Sequence, residues 1–220
     1  MSESRVIKLL EKFVSGELGW LELDTAFMPY YEPKELKAVE PYYVEHREGE
    51  DHAGWESCCI HGLSSSMTGI CYDYGYDNEI EAPYYWTEVS REAPRAAQFW
   101  REFPAERFAR VRFMKLKPGG RIGTHNDRPA QYPDNLLDFL LPINVAITHP
   151  KNCTMTIEGH GEVPWQPGKV FLVNILQNHS VQNNSTEDRI HMIAQVHPGN
   201  RKKEFIDLIT RSIDKNGYKI

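Results

Sequence analysis

Residues 169–197 read KVFLVNILQNHSVQNNSTEDRIHMIAQVH, and they contain two strand-like runs, at 169–175 and 189–197, separated by a turn-rich segment. Further strand-like runs lie upstream, at 110–116, 121–125, 137–148 and 153–158. Turn residues at 118–120 and 167–168 separate them. Because short strands at this close spacing are typical of an all-β barrel or sandwich, we predict a mainly β fold for this part of the chain.

Helical periodicity flanks the β region on both sides. One apolar stripe predicts a first helix closed by Ser15-Gly16, a second predicts a helix over 88–103 interrupted near Pro94, and a third predicts a C-terminal helix. The residues that form these stripes are Val6, Leu9, Leu10, Phe13, Ala97, Trp100, Phe103, Phe205, Leu208, Ile209 and Ile213. We expect these helices to pack on the outside of the barrel.

The segment between the first two predicted helices is less regular. Residues 19–75 are rich in Tyr, Trp, Pro and Gly, a texture of irregular strands and long loops. The charged run at 45–52 contains His46 and could hold a metal, but it lacks flanking apolar alternation. A solvated loop is therefore the favoured interpretation of that run.

The composition is that of a mildly acidic globular chain. Its 220 residues are 40% hydrophobic and 11% aromatic, with a formal net charge of −6 and a pI near 5.9, which argues against a nucleic-acid partner. No signal peptide or run of about 18 apolar residues is evident, so we expect a soluble, cytoplasmic protein without a membrane partner. Cys58, Cys59, Cys71 and Cys153 lack paired CxxC spacing, and we expect reduced thiols without a chemical role.

A pattern of three residues predicts a metal site. In His125-Asn126-Asp127 the two outer residues lie two positions apart, so both side chains leave the same face of an extended segment. His179 follows the apolar run at 169–175 after a short turn. Two imidazoles and one carboxylate on one side of an ion leave its opposite positions free, which suits non-haem iron(II); zinc fits the same ligands less distinctively.

Arg189 lies ten residues after His179 and opens the last strand-like run, in which Arg189, His191 and Ile193 share one face. A guanidinium that projects into a barrel is costly unless it is paired. A ligand carboxylate held by the planar fork would provide that partner. The pattern therefore indicates a site for a carboxylate-bearing co-substrate.

Three motifs resemble the aspartyl/asparaginyl β-hydroxylase family of 2-oxoglutarate-dependent oxygenases. They are FMKLKPGGRIGTHND at 113–127, NCTMTIEGHGEVPWQPGKVFLVN at 152–174 and NHSVQNNSTEDRIHMIAQVHP at 178–198. The resemblance implies a double-stranded β-helix, a jelly-roll barrel of the cupin-like kind with flanking helices. It also implies iron(II) as cofactor and 2-oxoglutarate and O2 as co-substrates. By the same resemblance, His125, Asp127 and His179 would bind iron, and Arg189 would hold the far carboxylate of 2-oxoglutarate.

Two positions depart from the family pattern. The animal peptide-hydroxylating members have glycine where Asp127 stands, and they have a small hydroxylic residue near the position of Met114. Asp127 gives this chain a complete three-ligand set. Met114 cannot provide the hydroxyl group that would bind the co-substrate carboxylate together with Arg189.

Two polar residues are candidates for completing the co-substrate site. Asn144 is the polar residue of an otherwise apolar run and roughly matches a family position where a histidine contacts the co-substrate. Its amide either binds a carboxylate or pairs with backbone. His191 either lines the pocket or is a core histidine satisfied by a neighbouring carbonyl.

Three residues are candidates for contacting the substrate. Arg128 directly follows Asp127, and it either grips a substrate carboxylate or forms a surface salt bridge. Trp55 and Trp86 either lie at the mouth of the barrel or belong to the core. Substrate selectivity resides in such loops, which a sequence reads poorly.

The sequence thus predicts a dioxygenase that hydroxylates an unactivated C–H bond of an amino acid or of an Asp/Asn-type peptide residue, releasing succinate and CO2. We expect one oxygenase domain over 1–220: an N-terminal part (1–104) that supplies substrate loops, a metal-binding barrel (105–198) and a C-terminal helix (199–220). The alternative is a cupin-like sensor or binding protein that holds a metal and a carboxylate without turnover. A zinc hydrolase lacks an obvious general base beside the metal.

Overall fold

The computed structural model describes residues 2–47, 49, 51–79, 81–218 and 220. These residues include eleven strands and five α-helices. The strands are β1 (Trp20–Ala26), β2 (Val44–Glu45), β3 (His52–Gly62), β4 (Tyr85–Trp86), β5 (Arg107–His125), β6 (Leu141–Thr148), β7 (Cys153–Ile157), β8 (Gly161–Glu162), β9 (Lys169–Val173), β10 (His179–Asn183) and β11 (Arg189–His197). The helices are α1 (Ser2–Ser15), α2 (Pro33–Val39), α3 (Val89–Glu92), α4 (Pro94–Glu102) and α5 (Lys202–Asn216).

The long strand β5 joins two sheets. Its first part pairs antiparallel with β11, where Leu116 lies opposite Arg189, and its last part pairs antiparallel with β10, where His125 lies opposite His179. The main path of strand pairing is β1-β9-β6-β11-β5-β10-β7-β8, while β3 pairs with β5, and β2 and β4 pair with β3. One sheet therefore contains β9, β6, β11 and the start of β5, and the other contains the end of β5 with β10, β7 and β8. This order confirms the double-stranded β-helix, or jelly roll.

β5 changes sheets at Pro118-Gly119-Gly120. Gly119 has a φ of +74°, a backbone conformation that residues other than glycine rarely adopt. A Cβ on Gly120 would lie 2.7 Å from the carbonyl oxygen of Lys117 and 3.0 Å from that of Ala53. These two glycines allow one continuous strand to contribute residues to both sheets.

Three predicted helices are confirmed. α1 buries Val6, Leu9, Leu10 and Phe13 and packs against α5, which in turn packs on β1. The helix predicted over 88–103 is divided into α3 and α4, and the break falls immediately before Pro94. Each fully buried apolar side chain contributes roughly 1.5–3 kcal/mol relative to an exposed one, so these stripes hold the helices on the barrel.

Six strands have no counterpart among the predicted runs, namely β1, β2, β3, β4, β8 and β10. The eleven-residue β3 lies within the segment expected to be irregular, and it does not alternate because Cys58, Cys59 and Ile60 are all fully buried. β10 is too polar to be recognised, since the inward-facing residues at its two ends are His179 and Asn183. Conversely, residues 137–140 precede β6 and are not part of it.

Asn183 compensates for its burial with hydrogen bonds. Its amide nitrogen lies 2.8 Å from Leu116 O, 3.1 Å from Lys117 O and 2.8 Å from Glu187 O. Its side-chain oxygen accepts from the backbone N–H of Ser185. The amide thus ties the turn between β10 and β11 to the bend of β5, and so fixes Arg189 relative to His179.

All four cysteines are free and buried, and burial raises the pKa of Cys59 to about 11, which disfavours the reactive thiolate. Among the described residues, no helix combines the length and the apolar character needed to cross a bilayer.

Candidate metal centre

His125, Asp127 and His179 converge at one end of the barrel. One candidate ligand atom from each residue lies within 4.8 Å of those of the other two. The two imidazoles face each other across the β5–β10 pair, with ring centroids 4.3 Å apart. Asp127 lies just past the end of β5, where its backbone N–H donates to Ile175 O at 2.9 Å. The structure therefore brings together the three residues that the sequence predicted as ligands.

Both imidazoles are held in the same tautomer. Nδ1 of His125 lies 2.8 Å from Gly123 O, and Nδ1 of His179 lies 3.0 Å from Gln177 O. Because a carbonyl oxygen only accepts, each Nδ1 carries the hydrogen and each Nε2 presents a lone pair. Burial lowers the pKa of His179, which favours the neutral form that binds metals.

The Asp127 carboxylate is available to an ion. Asp127 is exposed, and among the described residues none donates a hydrogen bond to its side chain. Two neutral imidazoles and one carboxylate form the donor set of non-haem iron(II) sites, which leave positions open on the side opposite the protein. The residues present fit such an ion.

These three residues line a cavity of about 1070 Å³ that extends into the barrel. Arg189, Asn144 and Met114 line the same cavity. Its volume is at the upper limit of pockets for single small molecules, roughly 300–1,000 Å³. The space is therefore sufficient for a co-substrate together with part of a second molecule.

Arg189 presents an unpaired cation to this cavity. It is 2% exposed, and its Nη2 donates to Nδ1 of His191 at 2.9 Å, whereas its Nε is buried without a partner among the described residues. Burial lowers the pKa of Arg189 to about 10, so the group is still charged at neutral pH. A buried guanidinium without a counter-ion is costly, and a ligand carboxylate would remove that cost.

Asn144 offers a second unpaired donor. It is 2% exposed, and its amide nitrogen is buried without a partner among the described residues. Met114, which lines the same cavity, cannot supply a hydroxyl. Of the two interpretations of Asn144, the geometry favours a carboxylate contact over pairing with backbone.

His191 lies behind Arg189. It is fully buried, and its Nε2 lies 3.1 Å from Nδ1 of His149, whose Nε2 lies 2.8 Å from Cys153 O. The carbonyl oxygen only accepts, so each ring carries its hydrogen on Nε2 and Nδ1 of His191 accepts from Arg189. Burial lowers the pKa of His149 to about 4. Two neutral rings thus orient the guanidinium without compensating its charge.

The candidate substrate residues are in three different environments. Arg128 donates from Nε to Leu176 O at 2.7 Å and from Nη2 to Gln177 Oε1 at 3.2 Å, so its guanidinium braces the loop before His179. Trp55 is 8% exposed and lines the cavity. Trp86 lines a different cavity, of about 390 Å³, where Arg101 stacks over its ring. The structure does not bring Trp86 together with the metal ligands.

The interpretation of 45–52 as a solvated loop is wrong for His46. Its imidazole lines the metal-facing cavity and packs edge-on against Trp55, with ring centroids 4.4 Å apart. Nδ1 lies 2.9 Å from Ser57 Oγ and 2.9 Å from Thr68 Oγ1. A ring anchored by residues distant in sequence leaves no local signal, and residues 48 and 50 of this run lie outside the described residues.

Sequence reasoning also missed two arginines of the cavity. Arg110 and Arg112 alternate with buried apolar residues on β5 and line the cavity on the same face as Met114. Their two-residue spacing from Met114 was the available signal, since alternate residues of a strand share a face.

The pH dependence of stability tests the environment of His61, which lies beside Trp86. His61 is 8% exposed, its Nδ1 is buried without a partner among the described residues, and burial lowers the pKa of its imidazole from 6.5 to about 4. As pH falls from 6.5 to 4, the unfolded chain therefore binds a proton at His61 that the folded chain does not, and the free energy of unfolding falls. We expect His61→Phe to reduce that fall by about 2 kcal/mol.

Urea unfolding of the wild type and of His61→Phe at about pH 7 and about pH 4 measures this difference. Equal losses of stability in both proteins would show that His61 titrates normally in the folded state.

The strand order and the three converging residues define the class of protein. It is a double-stranded β-helix protein with two histidines and one carboxylate at one end of the barrel. A model of the family described as aspartyl/asparaginyl beta-hydroxylase matches residues 24–198, more than three quarters of the chain. The protein belongs to this family and is a 2-oxoglutarate-dependent non-haem iron dioxygenase, a hydroxylase that uses iron(II), 2-oxoglutarate and O2. The match begins at residue 24, so it includes the end of β1 and all of β3, well before the motifs at 113–198.

Solved structures with a similar fold are more distant. An oxidoreductase of the 2OG-Fe(II) oxygenase family from Burkholderia pseudomallei is 14% identical, with 87% of this chain and 91% of that chain covered and a TM-score of 0.46. A Pseudomonas putida prolyl-4-hydroxylase is 15% identical over 86% and 98%, with a TM-score of 0.43. No curated protein matches the sequence significantly. The strand order and the family match, not these similarities, therefore define the fold and the class.

Proposed function

We propose that the enzyme hydroxylates an unactivated C–H bond of a free amino acid or of an Asp/Asn-type residue of a peptide. In this proposal His125, Asp127 and His179 bind iron(II), and Arg189 with Asn144 binds 2-oxoglutarate. The observation that carries it is the presence, in one cavity, of a converging three-ligand set and of two buried donors, on Arg189 and Asn144, that have no partner among the described residues.

Each residue of the site has a positional task. Nε2 of both histidines and the Asp127 carboxylate would hold iron(II) on one side, because both Nδ1 atoms are committed to backbone carbonyls. The bound metal would supply the activation of O2 that an unactivated C–H bond requires. The cavity orients the two organic molecules and limits the access of water.

Arg189 would fix the orientation of the co-substrate. Its Nη2 is held by His191 and its Nε has no partner among the described residues, so the fork would retain donors for a carboxylate. The amide nitrogen of Asn144 is the second donor that Met114 cannot provide. His191 supports Arg189 from behind, which makes it a positioning residue in this proposal.

The part of the chain before β5 would contribute to substrate binding. Trp55 on β3 and Tyr72 line the cavity, and Tyr72 is 56% exposed. We propose one oxygenase domain in which residues 1–104 form part of the substrate site, the barrel holds the metal, and α5 supports the barrel from outside. Arg128 would support the loop before His179 and not contact the substrate.

A screen for succinate release tests the proposed function. Purified protein is incubated with iron(II), ascorbate and 2-oxoglutarate, and free amino acids and Asp- or Asn-containing peptides are added one at a time. We expect at least one of these compounds to stimulate succinate formation and to gain one oxygen atom by mass spectrometry. Turnover of 2-oxoglutarate that no member of the panel stimulates would contradict the proposed substrate class.

A further inference from the structure

Arg112 is a second cation in the wall of the metal-facing cavity. It lies on β5 opposite Ile193 of β11, and its side chain lines the cavity two residues from Met114 on the same face. Its Nε is buried without a partner among the described residues, as is Nε of Arg189. Nε of Arg110 is likewise buried without a partner among the described residues, so three arginines of this cavity have an unsatisfied Nε.

Neutral groups hold the Arg112 guanidinium in place. Nη1 donates to Thr68 O at 2.9 Å and lies 3.4 Å from Nε2 of His46. Burial lowers the pKa of His46 to about 2, so this imidazole is an uncharged acceptor whose Nδ1–H is turned toward Ser57 and Thr68. A carbonyl and a neutral ring orient the fork but leave its charge uncompensated, as His191 does for Arg189.

Arg110 and Arg128 are already committed to other groups, and a fifth arginine of the cavity, Arg47, is exposed. Arg110 pairs with Glu79 at 3.3 Å, and its Nη2 also donates to Gln195. Arg128 donates to backbone and side-chain oxygens of the loop before His179. Among the described residues, no carboxylate forms an ion pair with Arg112. Burial lowers the pKa of Arg112 to about 10, which still leaves it charged at neutral pH.

Arg112 and Arg189 lie far enough apart to bind two different carboxylates. Arg189 lies opposite Leu116, four residues along β5 from Arg112, which corresponds to roughly 13 Å between the two backbone positions. Two acidic residues of the cavity, Asp127 and Glu79, favour the cationic form of Arg112 by their charge, and Glu79 is already paired with Arg110, whereas Asp127 is not paired with an arginine. In the proposed function that carboxylate is bound to iron, so it does not neutralise Arg112.

We propose that Arg112, oriented by His46 and Thr68, binds a carboxylate of the substrate. The substrate is therefore a carboxylate-bearing molecule: a free amino acid held by its α-carboxylate, or an aspartyl residue held by its side chain, and not an asparaginyl side chain. This inference rests on the proposed function, because it assigns Arg189 to 2-oxoglutarate.

Matched pairs of probes test this inference. Succinate release is compared for free L-amino acids against their α-amides, and for aspartyl peptides against the corresponding asparaginyl peptides. We expect the wild type to prefer one acid over its amide by at least about tenfold in kcat/KM, the effect of one lost charge-assisted hydrogen bond. The first pair detects recognition of an α-carboxylate, and the second detects recognition of a side-chain carboxylate.

Variants of Arg112 and Arg107, both on β5, test whether Arg112 causes the preference for the acid over its amide. Arg112→Gln is expected to raise the KM for the acid at least about tenfold and to remove the preference over the amide, while the requirement for 2-oxoglutarate changes less than about twofold. Arg112→Lys keeps the charge but loses the fork, so we expect an intermediate preference. Arg107→Gln removes an exposed arginine from the same strand and is expected to behave as the wild type.

Binding without turnover provides an independent readout. Calorimetric titration of the Mn(II)-loaded protein under nitrogen, with 2-oxoglutarate present, measures the affinity for the acid and for its amide. We expect the acid to bind at least about tenfold more tightly, and Arg112→Gln to lose that difference without a lower Tm.

Three results would overturn the inference. They are a wild type that distinguishes no acid from its amide, an Arg112→Gln variant that keeps the preference, and an Arg112→Gln variant whose main defect is a higher requirement for 2-oxoglutarate. Failure of the proposed function gives a different result, because 2-oxoglutarate turnover is then absent or is not stimulated by any compound. In that case the calorimetric comparison of acid and amide still decides whether Arg112 binds a carboxylate.

Discussion

Replacing Asp127 with alanine is expected to reduce iron-dependent succinate formation by at least about 100-fold without unfolding the barrel. Loss of a residue that merely supports a metal ligand typically costs about 10–100-fold, and loss of a ligand costs more. The fold should tolerate the change because Asp127 is exposed and its side chain accepts no hydrogen bond from the described residues. Succinate release, iron content of protein prepared without oxygen, and a thermal melt measure the three quantities.

Asp134→Ala is the matched control for this experiment. Asp134 is another exposed aspartate at the edge of the same cavity, but it does not belong to the converging set. It therefore separates the loss of a ligand from a general loss of negative charge at the mouth. Unchanged succinate formation in Asp127→Ala would remove Asp127 from the site and leave a two-histidine centre.

The barrel was readable from the sequence because most of its strands obey simple patterns. β6 and β9 are mostly apolar and rich in β-branched residues, β11 contains Ile190, Ile193 and Val196, and turn residues with glycine or proline separate several of the strands. β3 and β10 were not readable for opposite reasons. β3 is covered on both faces and does not alternate, whereas β10 places polar residues inward at both of its ends.

The candidate site was readable to the extent that its residues are close in sequence or follow known spacing. His125, Asp127, His179 and Arg189 form such a pattern, and the structure brings the first three together. The support for Arg189 was not readable. It depends on a chain through His191 to a residue 42 positions away, which only the pairing of β11 with β6 brings close.

The same limit applies to the substrate side of the cavity. Arg112 is one of several charged residues on β5, and its isolation from carboxylates depends on His46 and Thr68, which belong to the segment before the barrel. Trp86 had the composition expected of a substrate-contacting aromatic but lies in another cavity. Contacts between distant segments, and not residue types, decide these assignments.

Replacing Arg189 with alanine is expected to raise the concentration of 2-oxoglutarate needed for half-maximal rate by about 100-fold. Truncating one member of a buried, hydrogen-bonded charge pair costs about 2–5 kcal/mol, and each 1.4 kcal/mol corresponds to a factor of ten. Iron binding should be spared, because no ligand atom of the triad contacts the Arg189 guanidinium among the described hydrogen bonds. The measurement is the dependence of succinate release on 2-oxoglutarate, with iron content determined in parallel.

The comparison with Arg112→Gln makes this result specific. If each arginine binds its own carboxylate, Arg189→Ala changes the requirement for 2-oxoglutarate and Arg112→Gln changes the KM for the substrate, and the two defects do not exchange. Arg189→Lys should recover part of the affinity, since it restores a charge without the fork that His191 orients. An unaltered requirement for 2-oxoglutarate in Arg189→Ala, together with a raised one in Arg112→Gln, would instead assign the co-substrate to Arg112 and leave Arg189 for the substrate.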